Sequence, residues 1–137
     1  MYLLDTTIVS ELRRPDPHGG VLAWFTGIPD EQLYLSAVTI GEIQAGIETA
    51  REQDPVKAAE LEDWLGRVLE TFDILPVDAA AFREWARLVH RQSDTLLQDA
   101  LIGAVATVHR LTVATRNVRD FERLGVEAVD PFAHGDG

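Results

Sequence analysis

Asp5, Glu42 and Asp99 have the residue type and the placement to do chemistry. None has a charge partner in its own segment. Asp5 ends the apolar run Tyr2-Leu3-Leu4, Glu42 lies in the first turn of a helix after a second apolar run, and Asp99 lies early in a late, mostly apolar helix. In an open α/β sheet, the ends of the strands and the starts of the neighbouring helices share one edge, where such folds place their sites. Carboxylates meeting there repel one another unless a cation holds them. The chemistry expected is therefore that of a divalent metal site. Such an ion lowers the pKa of a bound water and stabilises charge on a phosphoryl oxygen. Glu42 or another acid would then orient or deprotonate the attacking water, which makes phosphodiester hydrolysis the natural reaction class.

The ligand inventory narrows the metal. There is no Cys, and His18, His90, His109 and His134 lie far apart with no paired spacing. Oxygen donors alone suit Mg²⁺ or Mn²⁺ better than Zn²⁺. No Gly-rich phosphate loop or nucleophile elbow is present.

Each acid also has a structural reading. Asp5 can cap a short helix. Thr39 and Glu42 have the spacing of a capping box. Asp99 has Thr95, Ile102, Gly103 and Ala106 as helical neighbours, none basic, with Gly103 expected to leave open space above it; an unpaired Asp there is costly unless it binds something. After the fourth strand, Asn117 stands where a fourth ligand or a water-positioning group would be. Asp120, three residues on, is either a further site acid or a solvated acid in a capped turn.

The elements that must position these groups alternate strand and helix, which predicts a parallel sheet with helices on both faces. Strands are expected at residues 2–5, 33–36, 73–77, 111–115 and 126–129. Thr6 or Thr7 would cap a short helix carrying Ile8, Val9 and Leu12 and ended by Pro15 and Pro17. A second short helix near 20–26 turns Val21, Trp24 and Phe25 inward. A helix from about Thr39 buries Ile40, Ile43 and Ile47. Asp54-Pro55 starts the next helix, which carries Ala58, Leu61, Leu65, Val68 and Phe72. Asp78 caps a helix with Phe82, Trp85, Ala86 and Val89 inward. Small apolar residues nearly all round the helix 97–109 predict that it is buried. Residues 134–137 read as a frayed tail.

At 137 residues the chain fits one domain. Neither a signal peptide nor an apolar run of the roughly 18 residues needed to span a membrane is seen, so a cytoplasmic protein is expected. The net charge of −11 excludes a simple nucleic-acid-coating protein. A metal and local arginines can still set an attractive field for an anionic substrate. Lys57 is the only lysine; Arg13 and Arg14 sit near the start, and Arg110, Arg116, Arg119 and Arg123 near the end. Arg83, Arg87 and Arg91 recur every four residues, a stripe that reads either as contact with nucleic-acid phosphates or as a solvated face.

Four blocks together carry a resemblance. Leu3-Leu4-Asp5-Thr6-Thr7-Ile8-Val9-Ser10-Glu11-Leu12 resembles the opening of PIN-domain ribonucleases, in particular the VapC-type toxins of bacterial toxin–antitoxin modules. Residues Tyr34 to Ile43, Asp99 to Ala106 and Leu111 to Phe121 resemble the following blocks, in the right order. The resemblance implies a PIN-like three-layer α/β sandwich with a five-stranded parallel sheet. It implies a Mg²⁺- or Mn²⁺-dependent endoribonuclease, a homodimer, and a toxin neutralised by an antitoxin whose C-terminal segment wraps it and can block the acidic site. Residue by residue, Asp5 and Asp99 match the principal metal ligands, Glu42 the third acid, and Asn117 the fourth position, which is Asp in some members, with Asp120 close behind. Arg116, Arg83 and Arg87 are the expected RNA contacts.

Two positions depart from the pattern. Thr7 stands where the family usually has Asn, altering a polar contact beside Asp5. Asn117 removes one negative charge, leaving either fewer direct ligands or a role for Asp120. A second class of function stays open on these grounds: a PIN-like module, weak or inactive as an enzyme, that binds RNA or a protein partner. A phosphatase with an Asp nucleophile would want a second Asp at Thr7, and a phosphoreceiver would want a lysine near the last strand.

Overall fold

A computed structural model describes residues 1–90, 92 and 96–135. Five parallel strands, β1 (Tyr2–Leu4), β2 (Leu33–Ser36), β3 (Asp73–Leu75), β4 (Thr112–Ala114) and β5 (Ala128–Val129), form one sheet in the order β3-β2-β1-β4-β5. The expected alternation of strand and helix is present, and the fold is α/β. Every strand but β2 is shorter than the span expected for it, because the flanking residues leave the ladder for caps and turns.

The pleat sends successive side chains to opposite faces. Leu3, Tyr34 and Val113 meet one core; Leu4, Leu33, Leu35 and Ala114 meet the other. The first core is covered by helices α5 (Ala79–Val89), α6 (Leu97–His109) and α7 (Val118–Arg123), with Phe121 fully buried. Burying one such ring contributes about 1.5–3 kcal/mol. The second is covered by α1 (Thr6–Arg13), α2 (Gly19–Thr26), α3 (Ala37–Gln53) and α4 (Pro55–Thr71). The result is three layers with the sheet in the middle.

Leu97–His109 is a helix with the expected bounds, buried along Ala100 and Ile102 to Ala106. Asp54 and Asp78 cap α4 and α5, accepting from the Lys57 and Ala81 amides at 3.1 and 3.0 Å.

Three local expectations fail. The cap of α1 is Asp5, not Thr6 or Thr7: its carboxylate accepts the Thr6 amide at 2.8 Å, and Thr6 already belongs to the helix. α3 starts two residues before Thr39, capped by Ser36, whose hydroxyl accepts the Val38 amide at 3.0 Å. Thr39 is therefore buried inside the first turn, Glu42 falls in the second turn, and no capping box forms. In α5 the inward face is rotated: Ala81, Trp85, Leu88 and Val89 pack on the core, while Ala86 faces outward and Phe82 is 50% exposed.

β1 is the hinge of the topology. The chain leaves it for β2 on one side and later returns through α5 and α6 to β4 on the other. Such a reversal of strand order opens a crevice at the carboxyl edge. The register Leu4↔Ala114 puts the next residues, Asp5 and Thr115, side by side at that crevice.

Candidate metal centre

Asp5 is the anchor, 4% exposed and fixed by three donors. Its Oδ1 accepts the Thr6 amide at 2.8 Å. Its Oδ2 accepts the Thr115 hydroxyl at 2.7 Å and the Thr7 hydroxyl at 3.1 Å. Thr115 is fully buried, and its oxygen in turn accepts the Asn117 amide at 2.9 Å. Thr7 accepts the Arg116 amide at 3.3 Å. The β4–α7 turn is thus tied to the end of β1 through two hydroxyls. The cap role and the site role of Asp5 coexist, since a carboxylate pinned by three donors still has lone pairs to offer.

Glu42 and Asp99 have no such support. Glu42 Oε1 is buried and has no hydrogen-bond partner. Burial pushes the Glu42 carboxyl pKa upward, and the nearby Asp5 adds to the push. The Thr6 hydroxyl offsets a little, though its hydrogen bond goes to Thr39 at 3.1 Å, and Asp99 raises the pKa further. Asp99 is pushed up to about 6, first by burial, then by Asp5 and Asp120. It sits in the first turn of α6, where the helix dipole favours an anion, and its pKa is raised all the same. The charges that act on Glu42 and Asp99 place both acids in one electrostatic neighbourhood with Asp5 and Asp120 at the sheet edge.

Gly103 does not open space above Asp99. A Cβ there would meet Val126 Cγ2 at 2.9 Å and Leu88 Cδ1 at 3.7 Å, so the glycine serves close packing of α6 against the chain before β5 and against α5. Thr95 and Arg91 lie outside the described residues. Asn117 is exposed at the N-cap of α7 without a side-chain cap bond, and Asp120 lies in the first turn of that helix. Arg116 is exposed beside the turn. Arg83 and Arg87 are exposed on α5, and Arg87 pairs with Glu84 at 2.8 Å, three residues back.

Among the described residues, no three acids stand close enough to form a ready-made cation cage. The donor set nonetheless fits a hard divalent ion: oxygen atoms only, one of them buried and unpartnered, and two carboxyls pushed toward neutrality by their surroundings. Sequence reasoning missed Thr115. The signal for it was available, because the register that sets Leu4 opposite Ala114 follows from aligning the two apolar runs.

The PIN domain profile matches residues 2–127. The chain is 34% identical to VapC ribonuclease Y4jK of Sinorhizobium fredii, over 96% of this chain and 98% of that protein. The crystal structure of FitAcB from Neisseria gonorrhoeae superposes with a TM-score of 0.85 at 34% identity, covering 96% of this chain and 99% of that one. A toxin–antitoxin complex from Klebsiella pneumoniae superposes with a TM-score of 0.72 at 25% identity, covering 96% and 98%.

Proposed function

This chain belongs to the PIN-domain family, and on that premise we propose that it is an endoribonuclease, the toxin of a cytoplasmic toxin–antitoxin pair. It hydrolyses RNA phosphodiester bonds with a Mg²⁺ or Mn²⁺ ion held by carboxylates. The observation that carries this reading is the buried, unpartnered Oε1 of Glu42, in a carboxyl whose pKa burial and the nearby charges of Asp5 and Asp99 push up. Such an arrangement costs stability and persists where function uses it.

When bound, the cation lowers the pKa of a water and neutralises charge on the attacked phosphoryl group. Asp5 and Asp99 are the residues to hold it. Asp5 is oriented by Thr6, Thr7 and Thr115, so its geometry is set before any ligand arrives. The Glu42 carboxylate, through its other oxygen, accepts the proton of the attacking water, and its raised pKa brings it nearer the working pH. Asn117 and Asp120, at the start of α7, complete the polar wall and orient the water or the ion. Arg116, Arg83 and Arg87 meet the RNA backbone.

The neutralising partner is an antitoxin. An apolar groove of about 440 Å³ between α1, α2 and α4, lined by Leu12, Leu22, Phe25, Trp64 and Phe72, offers it a seat. Two copies of the chain pair as a dimer. Among the described residues no helix is long and apolar enough to cross a membrane.

Incubating the purified chain with total RNA tests the reading. Cleavage with Mg²⁺ or Mn²⁺, absent with EDTA and absent in Asp99→Asn, is the expected result. Intact RNA under all conditions, with folded protein that still binds RNA, would instead make this chain a binding module.

A further inference from the structure

Beside the acids lies an open pocket of about 410 Å³ lined by Thr7, Ser10, Glu11, Arg13, Arg14, Arg116 and Phe132. Its charge runs opposite to that of the acidic edge. Glu11, 8% exposed, is the acid in it, and Arg14 answers it at 3.4 Å. Among the described residues, Arg13 and Arg116 form no ion pair. Both guanidiniums are exposed, and Arg13 leans over the Trp64 ring at 5.9 Å, which leaves Arg116 as the cation at the Thr7 end of the pocket.

Arg116 is also held in place. Its guanidinium lies over the Phe132 ring at 4.3 Å. Phe132 belongs to the short turn Pro131–Ala133, which Asp130 caps by accepting the Phe132 amide at 2.9 Å. The ring is braced by His18, 5.0 Å away, at the N-cap of α2. Gly20 allows the close approach: a Cβ there would stand 3.0 Å from the Phe132 carbonyl oxygen. The C-terminal turn thus packs against α2 and presents an aromatic platform under one arginine. A guanidinium on such a platform loses little freedom on binding and keeps its outer N–H fork for an anion.

One hydroxyl joins this pocket to the metal centre. Thr7 Oγ1 accepts the Arg116 amide at 3.3 Å and donates to Asp5 Oδ2 at 3.1 Å.

We propose that Arg116, seated on Phe132, is a phosphate subsite that binds the RNA backbone beside the scissile phosphodiester and sets the strand's register on Asp5. This deepens the ribonuclease reading and rests on it. RNA is favoured over an acidic peptide because the subsite adjoins the centre where a phosphodiester must lie, and because a fork of guanidinium N–H groups matches a phosphate's oxygens.

The test separates binding from cutting. A fluorescent single-stranded RNA of mixed sequence is titrated into Asp99→Asn with EDTA across a range of salt concentrations, so that no cleavage intervenes. Adding Arg116→Ala should weaken binding about tenfold whatever the RNA sequence, and reduce the salt slope by about 0.7. Phe132→Leu, which keeps every charge, should weaken it about two- to fivefold. Arg67→Ala, which removes an exposed charge elsewhere, should leave it near the starting value. Melting curves check that each variant is folded, and Arg116→Gln substitutes if Arg116→Ala is not.

Unchanged binding and slope in the Arg116 variant would overturn the subsite and return the pocket to a protein partner. So would an equal loss in Arg67→Ala, which would mean a diffuse charge effect. If the Arg116 effect appears but the parent cuts no RNA with metal, the subsite stands and the ribonuclease reading falls.

Discussion

Two groups of carboxylates in this molecule do opposite things. Asp54, Asp78 and Asp130 sit at the starts of α4, α5 and the C-terminal turn, each accepting a backbone amide near 3 Å, the first two exposed and the third half-buried. They satisfy donors that a helix start leaves free, and they stabilise the fold. Glu42 and Asp99 sit at the carboxyl edge, partly buried, beside Asp5 and one another, with pKa values pushed up. They cost stability in the absence of a cation. Asp5 belongs to both groups, capping α1 while taking three donors at the site. The contrast separates acids that hold the fold from acids that the fold holds.

The largest effect expected from breaking this contrast is on catalysis. Glu42→Gln keeps the shape of the side chain and removes its ability to take a proton. RNA cleavage should fall by about 10²–10⁴-fold, the usual range for a lost general base, while Asp78→Ala leaves the rate per folded molecule unchanged. Initial rates at saturating Mn²⁺ decide the matter. A Glu42→Gln enzyme within a few-fold of the parent would remove Glu42 from the chemistry.

A smaller effect, of opposite sign in the two groups, is expected on stability. Asp78→Ala should destabilise the metal-free protein by about 1 kcal/mol, the typical worth of a cap. Asp99→Asn should raise the melting temperature of the metal-free protein at pH 8, because it removes a charge that burial and two like charges oppose. Thermal melts in EDTA test both. A lower melting temperature for Asp99→Asn would mean that Asp99 is a structural acid after all.

The smallest is a pH dependence whose sign follows from the Asp99 shift. Its pKa is raised from 3.8 in the unfolded chain to about 6 in the fold, so the folded state binds more protons between those values. The stabilisation it gives is fully present below pH 3.8 and is lost as pH rises through about 6. Comparing metal-free parent and Asp99→Asn from pH 4 to pH 8 should show the parent losing ground over that interval. The shift of Glu42, also upward, acts in the same direction. Parallel pH curves for the two proteins would contradict the raised pKa.

The acids of both groups were legible in the sequence as residues, but what distinguishes them was only partly so. Asp54-Pro55 and Asp78 announce their caps through local pattern alone. The strand and helix order, the carboxyl edge and the bounds of α6 follow from apolar periodicity. The start of α3 does not, since Ser36 and Thr39 can each cap a helix; pairing of Ser36 with Leu75 at the end of β2 sets where the strand stops. That choice moves Glu42 out of a capping box and leaves Oε1 alone. The face of α5 was misjudged because Phe82 is large and apolar, yet packing on α6 favours Ala81 and Leu88. Gly103 was misread as space because its neighbours, Val126 and Leu88, come from distant parts of the chain. Thr115 and Phe132 act through long-range contacts, which local pattern does not carry.

The central claim is that the acidic edge is held together by a divalent cation. Its most direct test is the melting temperature of the folded chain with and without Mn²⁺, measured beside Asp99→Asn. At an ion concentration about 100 times its dissociation constant, the parent should gain roughly 2.7 kcal/mol and melt several degrees higher, while Asp99→Asn gains little or nothing. An equal rise in both proteins, or none in the parent, would contradict a metal site built on Asp5 and Asp99.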